Sequence, residues 1–173
     1  TLEGSYFATG FIAGDSSVGT NVKDNTFNIN TASVVYGITL EMSQESSVSS
    51  NDLKLSSQLI YGIDGIGSSG NVISQNNISA NSKTSCAVLI SNGNGNTISK
   101  NLINSNGSGE AIEFLILDYI ACDNSGIYLV ANSTGNKIID NNITSREGYS
   151  VILDGEATGN VINDNYLSSK QGM

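Results

Sequence analysis

Apolar and polar residues alternate along this chain in short runs that recur about every 25 residues. The phrase GNVISQNNIS at residues 70–79 returns as GNTISKNLIN at 95–104, GNKIIDNNIT at 135–144 and GNVINDNYLS at 159–168. Two weaker copies begin at Gly19 and Ser46. The apolar positions of each copy follow a period of two, which indicates short β-strands and excludes helical repeats. A repeat of this length predicts a solenoid.

One asparagine keeps its place in every copy of the phrase. It stands at Asn25, Asn51, Asn76, Asn101, Asn141 and Asn165, at spacings of 26, 25, 25, 40 and 24 residues. Asparagine tolerates the left-handed backbone of a sharp corner, and its amide can donate to the same asparagine in the next coil, about 4.8 Å away. We therefore predict an asparagine ladder along the solenoid axis. In the copy at 70–79, Gly70 is expected to open a strand, with Ile73 and Ile78 in the core.

A third strand, led by a small residue, follows each corner. The sequence places these strands at residues 10–12, 37–40, 62–64, 87–90, 126–129 and 150–153. Three strands per coil predict an all-β fold, a right-handed single-stranded parallel β-helix of about six to seven coils. We expect residues 1–173 to form one such domain, and the start at Thr1 suggests a segment of a larger protein. The 40-residue spacing predicts an irregular insertion at about 110–124.

The units G-N-x-I-x-x-N-x-I, followed by G-I-x-L, resemble the parallel β-helix repeats of the pectin-lyase-like superfamily over nearly the whole chain. They look most like the Asn-rich repeats of archaeal and bacterial adhesin-like surface proteins. They are also similar to the repeats of periplasmic proteins that assist the maturation of copper enzymes. Sugar-cleaving members of the superfamily share this scaffold. The resemblance implies that catalytic carboxylates, where they exist, project outward from the strand led by glycine.

The outward positions of these strands offer few catalytic groups. They are predicted to be Ile12, Thr39, Asp64, Leu89, Tyr128 and Ile152. Inverting hydrolysis requires two carboxylates about 6.5–9.5 Å apart. Asp64 has such a partner in Glu113 only if residues 111–114 form a true strand, and Glu41 and Asp154 are expected to be too distant in coil count. With no His and a single Arg in the chain, we predict that it is not an enzyme.

The insertion contains the most apolar run of the chain, residues 110–123. Its pattern fits either a strand at 111–114 or a short helix with Ile112, Leu115, Ile116 and Tyr119 on one face. An insertion in a repeat protein often marks a binding face, but the favoured interpretation here is that it covers a hydrophobic seam or packs against another copy. The column Ile12, Leu89, Tyr128 and Ile152 is expected to form an apolar, partly aromatic strip that suits sugar stacking or self-association. The predicted candidate binding surface consists of Ile12, Asp64, Leu89, Tyr128, Ile152, Glu113, Asp118 and Tyr119.

Charge and donor content exclude several kinds of partner. A net charge of −9 argues against nucleic-acid binding, and no apolar run approaches the roughly 18 residues of a membrane span. No His is present and the only Met residues are Met42 and Met173, so no cofactor and no metal are expected. The glycine-rich stretch at 91–96 is interpreted as a tight turn, since it lacks the aspartate of a calcium loop.

Two further features bear on the location of the protein. Cys86 and Cys122 either form one disulfide or remain as two buried thiols. Four Asn-X-Ser/Thr sequons are possible glycan sites if the protein is exported, and they stand at Asn77, Asn106, Asn132 and Asn142. An extracellular or cell-surface location fits the Ser, Thr and Asn content and the acidic charge.

The pattern predicts a non-catalytic, adhesin-like β-solenoid of the cell surface, which serves as a stalk or display surface. Its expected partners are a surface polysaccharide, another surface protein or a second copy of itself. One alternative is a fragment of a carbohydrate-active enzyme, such as a polysaccharide lyase, hydrolase or epimerase. The other is a periplasmic assembly factor for a metalloenzyme, against which the absence of His counts.

Overall fold

A computed structural model describes residues 7–14, 16–108 and 122–170. In chain order its strands are β1 (Phe7–Ala13), β2 (Asn21–Lys23), β3 (Thr26–Asn30), β4 (Val34–Glu41), β5 (Ser47–Ser49), β6 (Asp52–Ser56), β7 (Leu59–Ile66), β8 (Val72–Ser74), β9 (Asn77–Ser82), β10 (Thr84–Ser91), β11 (Thr97–Ser99), β12 (Leu102–Gly107), β13 (Ser125–Val130), β14 (Lys137–Ile139), β15 (Asn142–Ser145), β16 (Val151–Leu153), β17 (Val161–Asn163) and β18 (Tyr166–Ser169). Over these ranges, no helix has the length and apolar content needed to span a bilayer.

The strands form three parallel sheets that the chain visits in turn. The first sheet has the order β1-β4-β7-β10-β13-β16, the second β17-β14-β11-β8-β5-β2 and the third β18-β15-β12-β9-β6-β3. Each strand therefore pairs with the strand three places later in the chain, so that one coil consists of one strand from each sheet. The described residues make six such coils, which confirms the predicted parallel β-helix.

The core fills the space between the three sheets. Ile73 and Ile78, predicted to point inward, are fully buried there. A steric constraint explains why a small residue stands at the start of each predicted third strand. A Cβ atom on Gly37 would lie 2.3 Å from the carbonyl oxygen of Gly62, and one on Gly62 would lie 2.4 Å from that of Ala87. A larger side chain at these positions would force neighbouring coils apart.

The predicted asparagine ladder is present between the second and third sheets. From Asn51 onward, the Oδ1 of each ladder asparagine accepts the side-chain amide of the asparagine one coil earlier at 2.9–3.1 Å, and also its backbone N–H at 2.8–3.0 Å. The amide of Asn76 donates in addition to the carbonyl of Val48, one coil earlier still. One side chain therefore joins three coils. Each of these bonds contributes roughly 0.5–1.5 kcal/mol net.

The sequence-based assignment of the left-handed corner residue was wrong by one position. The ladder asparagines do not have positive φ. The left-handed residue is the one before each of them, namely Asp24, Ser50, Gln75, Lys100, Asp140 and Asp164, with φ between 54° and 58°. The asparagine is therefore required for its side-chain amide and not for its backbone conformation.

A second ladder, missed by the sequence analysis, lies at the corner that opens the second sheet. The Oδ1 atoms of Asn71, Asn96, Asn136 and Asn160 each accept the backbone N–H of the residue one coil earlier, at 2.8–2.9 Å. The glycine before each of them has φ of 64–67°. The expectation that Gly70 opens a strand was therefore wrong, because Gly70 makes the turn before it. The recurrent G-N pair was the signal for this ladder.

The insertion predicted at 110–124 lies mostly outside the described residues, so that neither the strand nor the helix proposed for it is tested. Its last residues, from Cys122 onward, are described. Strand β12 ends at Gly107, and β13 begins at Ser125 on the next coil of the first sheet. The coil geometry thus continues on both sides of the longest interval between repeats.

Candidate functional site

The predicted outward residues of the first sheet do form one aligned row. Pairing between neighbouring strands aligns Ile12 with Thr39, Thr39 with Asp64, and Asp64 with Leu89. The row continues through Tyr128 to Ile152. The side chains alternate with core residues along each strand, so the row lies on the outside of the solenoid.

Half of this row is buried, which contradicts the expectation of a continuous exposed apolar strip. Ile12 is 58% exposed, but Asp64 and Leu89 are each only 1% exposed and Tyr128 is 6% exposed. Leu89 and Tyr128 belong to a second apolar group outside the solenoid, here called the outer cluster. Its buried members are Val34, Leu59, Tyr61, Cys86, Leu89, Cys122 and Tyr128, and Ile152 packs against it while half-buried.

A disulfide holds the outer cluster together. Cys86, in the middle of β10, is bonded to Cys122 with a Cα–Cα distance of 5.1 Å, and both residues are fully buried. This settles the alternatives left open by the sequence in favour of a disulfide. The bond fixes the chain that returns from the insertion to the outside of the first sheet. Disulfides persist in oxidising compartments, so the bond is consistent with export.

Asp64 is the most perturbed ionisable group of the described residues. Desolvation by burial, followed by the negative charge of Glu41, raises the pKa of Asp64 from 3.8 to about 7. Its Oδ1 atom lacks a hydrogen-bond partner. Glu41 lies on the neighbouring strand, two residues beyond the partner of Asp64, so the expectation that it is too distant in coil count was wrong. The two carboxylates occupy adjacent coils on one face.

Tyr128 has a polar partner that the sequence analysis did not identify. Its Oη donates a hydrogen bond to Oδ2 of Asp154 at 3.1 Å. Burial raises the pKa of Tyr128, and the hydrogen bond and the negative charges of Asp154 and Asp123 act in the same direction. The phenol therefore stays protonated and holds the end of the outer cluster. Asp154 ends up beside the row because β16 pairs directly with β13.

The remaining members of the predicted binding surface, Glu113, Asp118 and Tyr119, lie outside the described residues and stay predictions. The sequon asparagines stay predictions as glycan sites. Asn77 and Asn142 are exposed and Asn106 is half-buried, all three on the outer face of the third sheet, whereas Asn132 is exposed at a corner.

Soft and borderline metal donors are scarce. The chain contains no His, both Cys residues are in the disulfide, and Met42 is 46% exposed at a turn. Among the described residues, no group of three or more His, Cys, Asp or Glu side chains is arranged to hold a metal ion. Asn96, in the glycine-rich stretch at 91–96, is a buried rung of the second ladder.

Comparison with known proteins gives one match. The family model described as periplasmic copper-binding protein (NosD) matches residues 2–111, which is more than half of the chain. No curated protein matches the chain. No solved structure matches it either.

Proposed function

Since this chain belongs to the periplasmic copper-binding protein (NosD) family, we propose that it acts in the cell envelope as a non-catalytic β-solenoid scaffold. Its two ladders hold the six coils in a fixed stack, and the rigid exterior presents binding surfaces to a partner. Display at the cell surface, as in an adhesin, is one form of this role. The acidic exterior and the disulfide support an extracytoplasmic location.

The burial of Asp64, Leu89 and Tyr128 on the outer face of the first sheet is the observation that carries this proposal. An enzyme of this architecture would need accessible reacting groups there. Instead, Leu89, Tyr128 and the disulfide pack into the outer cluster, and Asp64 is buried beside it. Asp64 and Glu41 are a carboxylate pair, but a buried acid cannot reach the glycosidic oxygen of a polymer. The pair therefore supports a structural function for this face.

Copper, which the family description names, does not fit the donors of this chain. Copper is bound by thiolate and thioether sulfur or by imidazole nitrogen. Imidazole is missing from the sequence, the sulfurs of Cys86 and Cys122 are bonded to each other, and Met42 has no second soft donor beside it among the described residues.

A second candidate function, assistance in the assembly of a metalloenzyme, is favoured by the family match alone. With the donors that this chain has, such a role would act through protein contacts and not through metal ligation. Binding of a purified metalloenzyme, measured by surface plasmon resonance with and without a copper chelator, tests this role. Chelator-insensitive binding supports it.

The non-catalytic role is tested with the purified chain and the variant Asp64→Asn on a panel of neutral and acidic polysaccharides. New reducing ends report hydrolysis, and ultraviolet absorption by unsaturated products reports lyase cleavage. We expect no turnover by either protein. Turnover by the wild type that is lost in Asp64→Asn would contradict the proposal and support the carboxylate pair as a catalytic centre.

A further inference from the structure

The outer face of the third sheet carries three straight columns of side chains, one residue per coil. Strand pairing defines them. The first column is Thr26, Asp52, Asn77, Leu102, Asn142 and Tyr166; the second is Asn28, Lys54, Ser79, Asn104, Thr144 and Ser168; the third is Asn30, Ser56, Asn81 and Asn106. We call these columns the amide face. Every member is exposed or half-buried.

Amides and hydroxyls dominate the amide face, and hydrogen bonds between coils hold some of them in place. The amide of Asn77 donates to Oδ1 of Asp52 at 2.9 Å, and that of Asn106 donates to Oδ1 of Asn81 at 3.1 Å. A side chain that is already oriented loses less entropy when it binds a ligand. Each primary amide still offers both donor and acceptor capacity to the solvent side.

The amide face is almost free of net charge. Its only ionisable members at neutral pH, Asp52 and Lys54, form an ion pair with Nζ 2.8 Å from Oδ2. The chain as a whole has a net charge of −9, which repels polyanions. An uncharged surface on an acidic protein therefore favours a neutral ligand over uronate polymers and nucleic acids.

The geometry of the columns fits a repeating ligand. Stacked strands are about 4.8 Å apart, a distance comparable to one sugar unit of an extended glycan. The same kinds of donor and acceptor thus recur along the axis at the interval at which a polysaccharide presents its hydroxyls. Tyr166, at one end of the first column, is 67% exposed and offers an aromatic ring for stacking against a sugar.

A protein partner fits this face less well. The centres of protein interfaces are enriched in apolar and aromatic side chains. Leu102 is the only apolar residue in the middle of the columns, and it lies between Asn77 and Asn142.

We propose that the amide face binds a neutral linear polysaccharide that lies along the solenoid axis. This inference rests on the proposed function, for which it names a surface and a partner class. The predicted sugar-stacking residues of the first sheet are not involved, because Leu89 and Tyr128 at its centre are buried.

Affinity electrophoresis in native gels tests the inference. The probes are mixed-linkage β-glucan, galactomannan and dextran, with alginate as the anionic control, and the protein is produced in a host without N-glycosylation. Asn104→Ala/Asn142→Ala removes two amides of the face. Ser49→Ala/Ser99→Ala makes two polar-to-alanine changes on the outer face of the second sheet and is the control for a change outside the amide face. Urea unfolding midpoints establish that both variants are folded.

We expect at least one neutral polymer to retard the wild type and the control equally, and the amide variant to migrate as it does in a gel without polymer. Lack of retardation by all three neutral polymers would overturn the inference, and so would equal loss in the control or equal retardation by alginate. Shortening of the polymer during the run would contradict the non-catalytic function instead, so the two failures can be told apart.

Discussion

Asn101 donates its side-chain amide to Oδ1 of Asn141 at 2.9 Å, although 40 residues separate the two in sequence. The other rungs of this ladder join asparagines 24–26 residues apart at the same distances. The backbone N–H of Asn101 also reaches Asn141 Oδ1, at 3.0 Å. Stacking of the coils therefore determines the rung, and the insertion between the two asparagines does not change it.

The corner position before each ladder asparagine should be sensitive to β-branching. Lys100 has φ of +56°, a conformation that costs a β-branched residue about 1–2 kcal/mol. We expect Lys100→Val to lower the free energy of unfolding by about that amount and Lys100→Gly to leave it unchanged or raise it. Urea denaturation followed by circular dichroism measures both. Equal values for the two variants would show that this corner does not require a left-handed residue.

The stability of the protein should fall as the pH rises towards neutrality because of Asp64. Its pKa is about 7 in the folded chain and 3.8 as an ordinary aspartate. The folded state therefore favours the protonated acid. The stabilisation that Asp64 gives to the folded state is complete below pH 3.8 and is lost as the pH rises through about 7. We expect Asp64→Asn to flatten the pH dependence of the urea midpoint over this range and to be more stable than the wild type at pH values above 7.

Glu41→Gln provides the companion measurement, because it removes the charge that contributes to the raised pKa of Asp64. The loss of stability should start in both proteins near the pKa of an ordinary aspartate, 3.8, but in this variant it should end at a lower pH and be smaller than in the wild type. The account of Asp64 fails if Asp64→Asn keeps the pH profile of the wild type.

Removal of the disulfide should destabilise the fold. Cys86 and Cys122 are 36 residues apart, and closing a loop of this size in the unfolded chain is worth about 2–4 kcal/mol. We expect the double variant Cys86→Ser/Cys122→Ser to lose that much free energy of unfolding and to expose the outer cluster to a hydrophobic dye. A dye signal and an unfolding free energy equal to those of the wild type would show that the bond does not hold this cluster.

Copper should bind this chain only weakly. Calorimetric titration with Cu(II), and with Cu(I) under reducing but disulfide-preserving conditions, is expected to show no saturable site. Met42→Leu should give the same heats as the wild type, because a single exposed thioether does not make a copper site. Stoichiometric binding that disappears in Met42→Leu would contradict this.

The coils could be predicted from the sequence because their cause is local. Ile73 and Ile78 alternate with polar neighbours, and this period alone indicates which side chains enter the core. The sequence analysis placed the left-handed corner at the wrong residue because an asparagine can recur in a repeat for two reasons. It tolerates a left-handed backbone, and its amide can form hydrogen bonds between coils. Only the structure distinguishes Gln75, which turns the chain, from Asn76, which forms the rung.

The site was harder to predict than the fold. Periodicity tells whether Asp64 or Leu89 points out of the solenoid, but not whether another part of the chain covers it. Burial of the outer cluster depends on long-range contacts such as that between Cys86 and Cys122. The interaction of Asp64 with Glu41 was missed because the sequence analysis compared only residues at matching positions of different coils. Glu41 lies two residues beyond the matching position on the neighbouring strand.

We infer that the repeated asparagines stabilise the stack of coils and do not bind a ligand. The unfolding free energies of Asn101→Ala and Asn94→Ala test this inference. Asn101 is buried, and loss of its side chain removes the acceptor of one amide N–H and of the backbone N–H of Asn76. Asn94 is exposed, and its Oδ1 accepts hydrogen bonds from the backbone N–H and the hydroxyl of Thr134. We predict that Asn101→Ala lowers the free energy of unfolding by about 1–3 kcal/mol, clearly more than Asn94→Ala. Equal losses in the two variants would contradict the ladder as the source of stability.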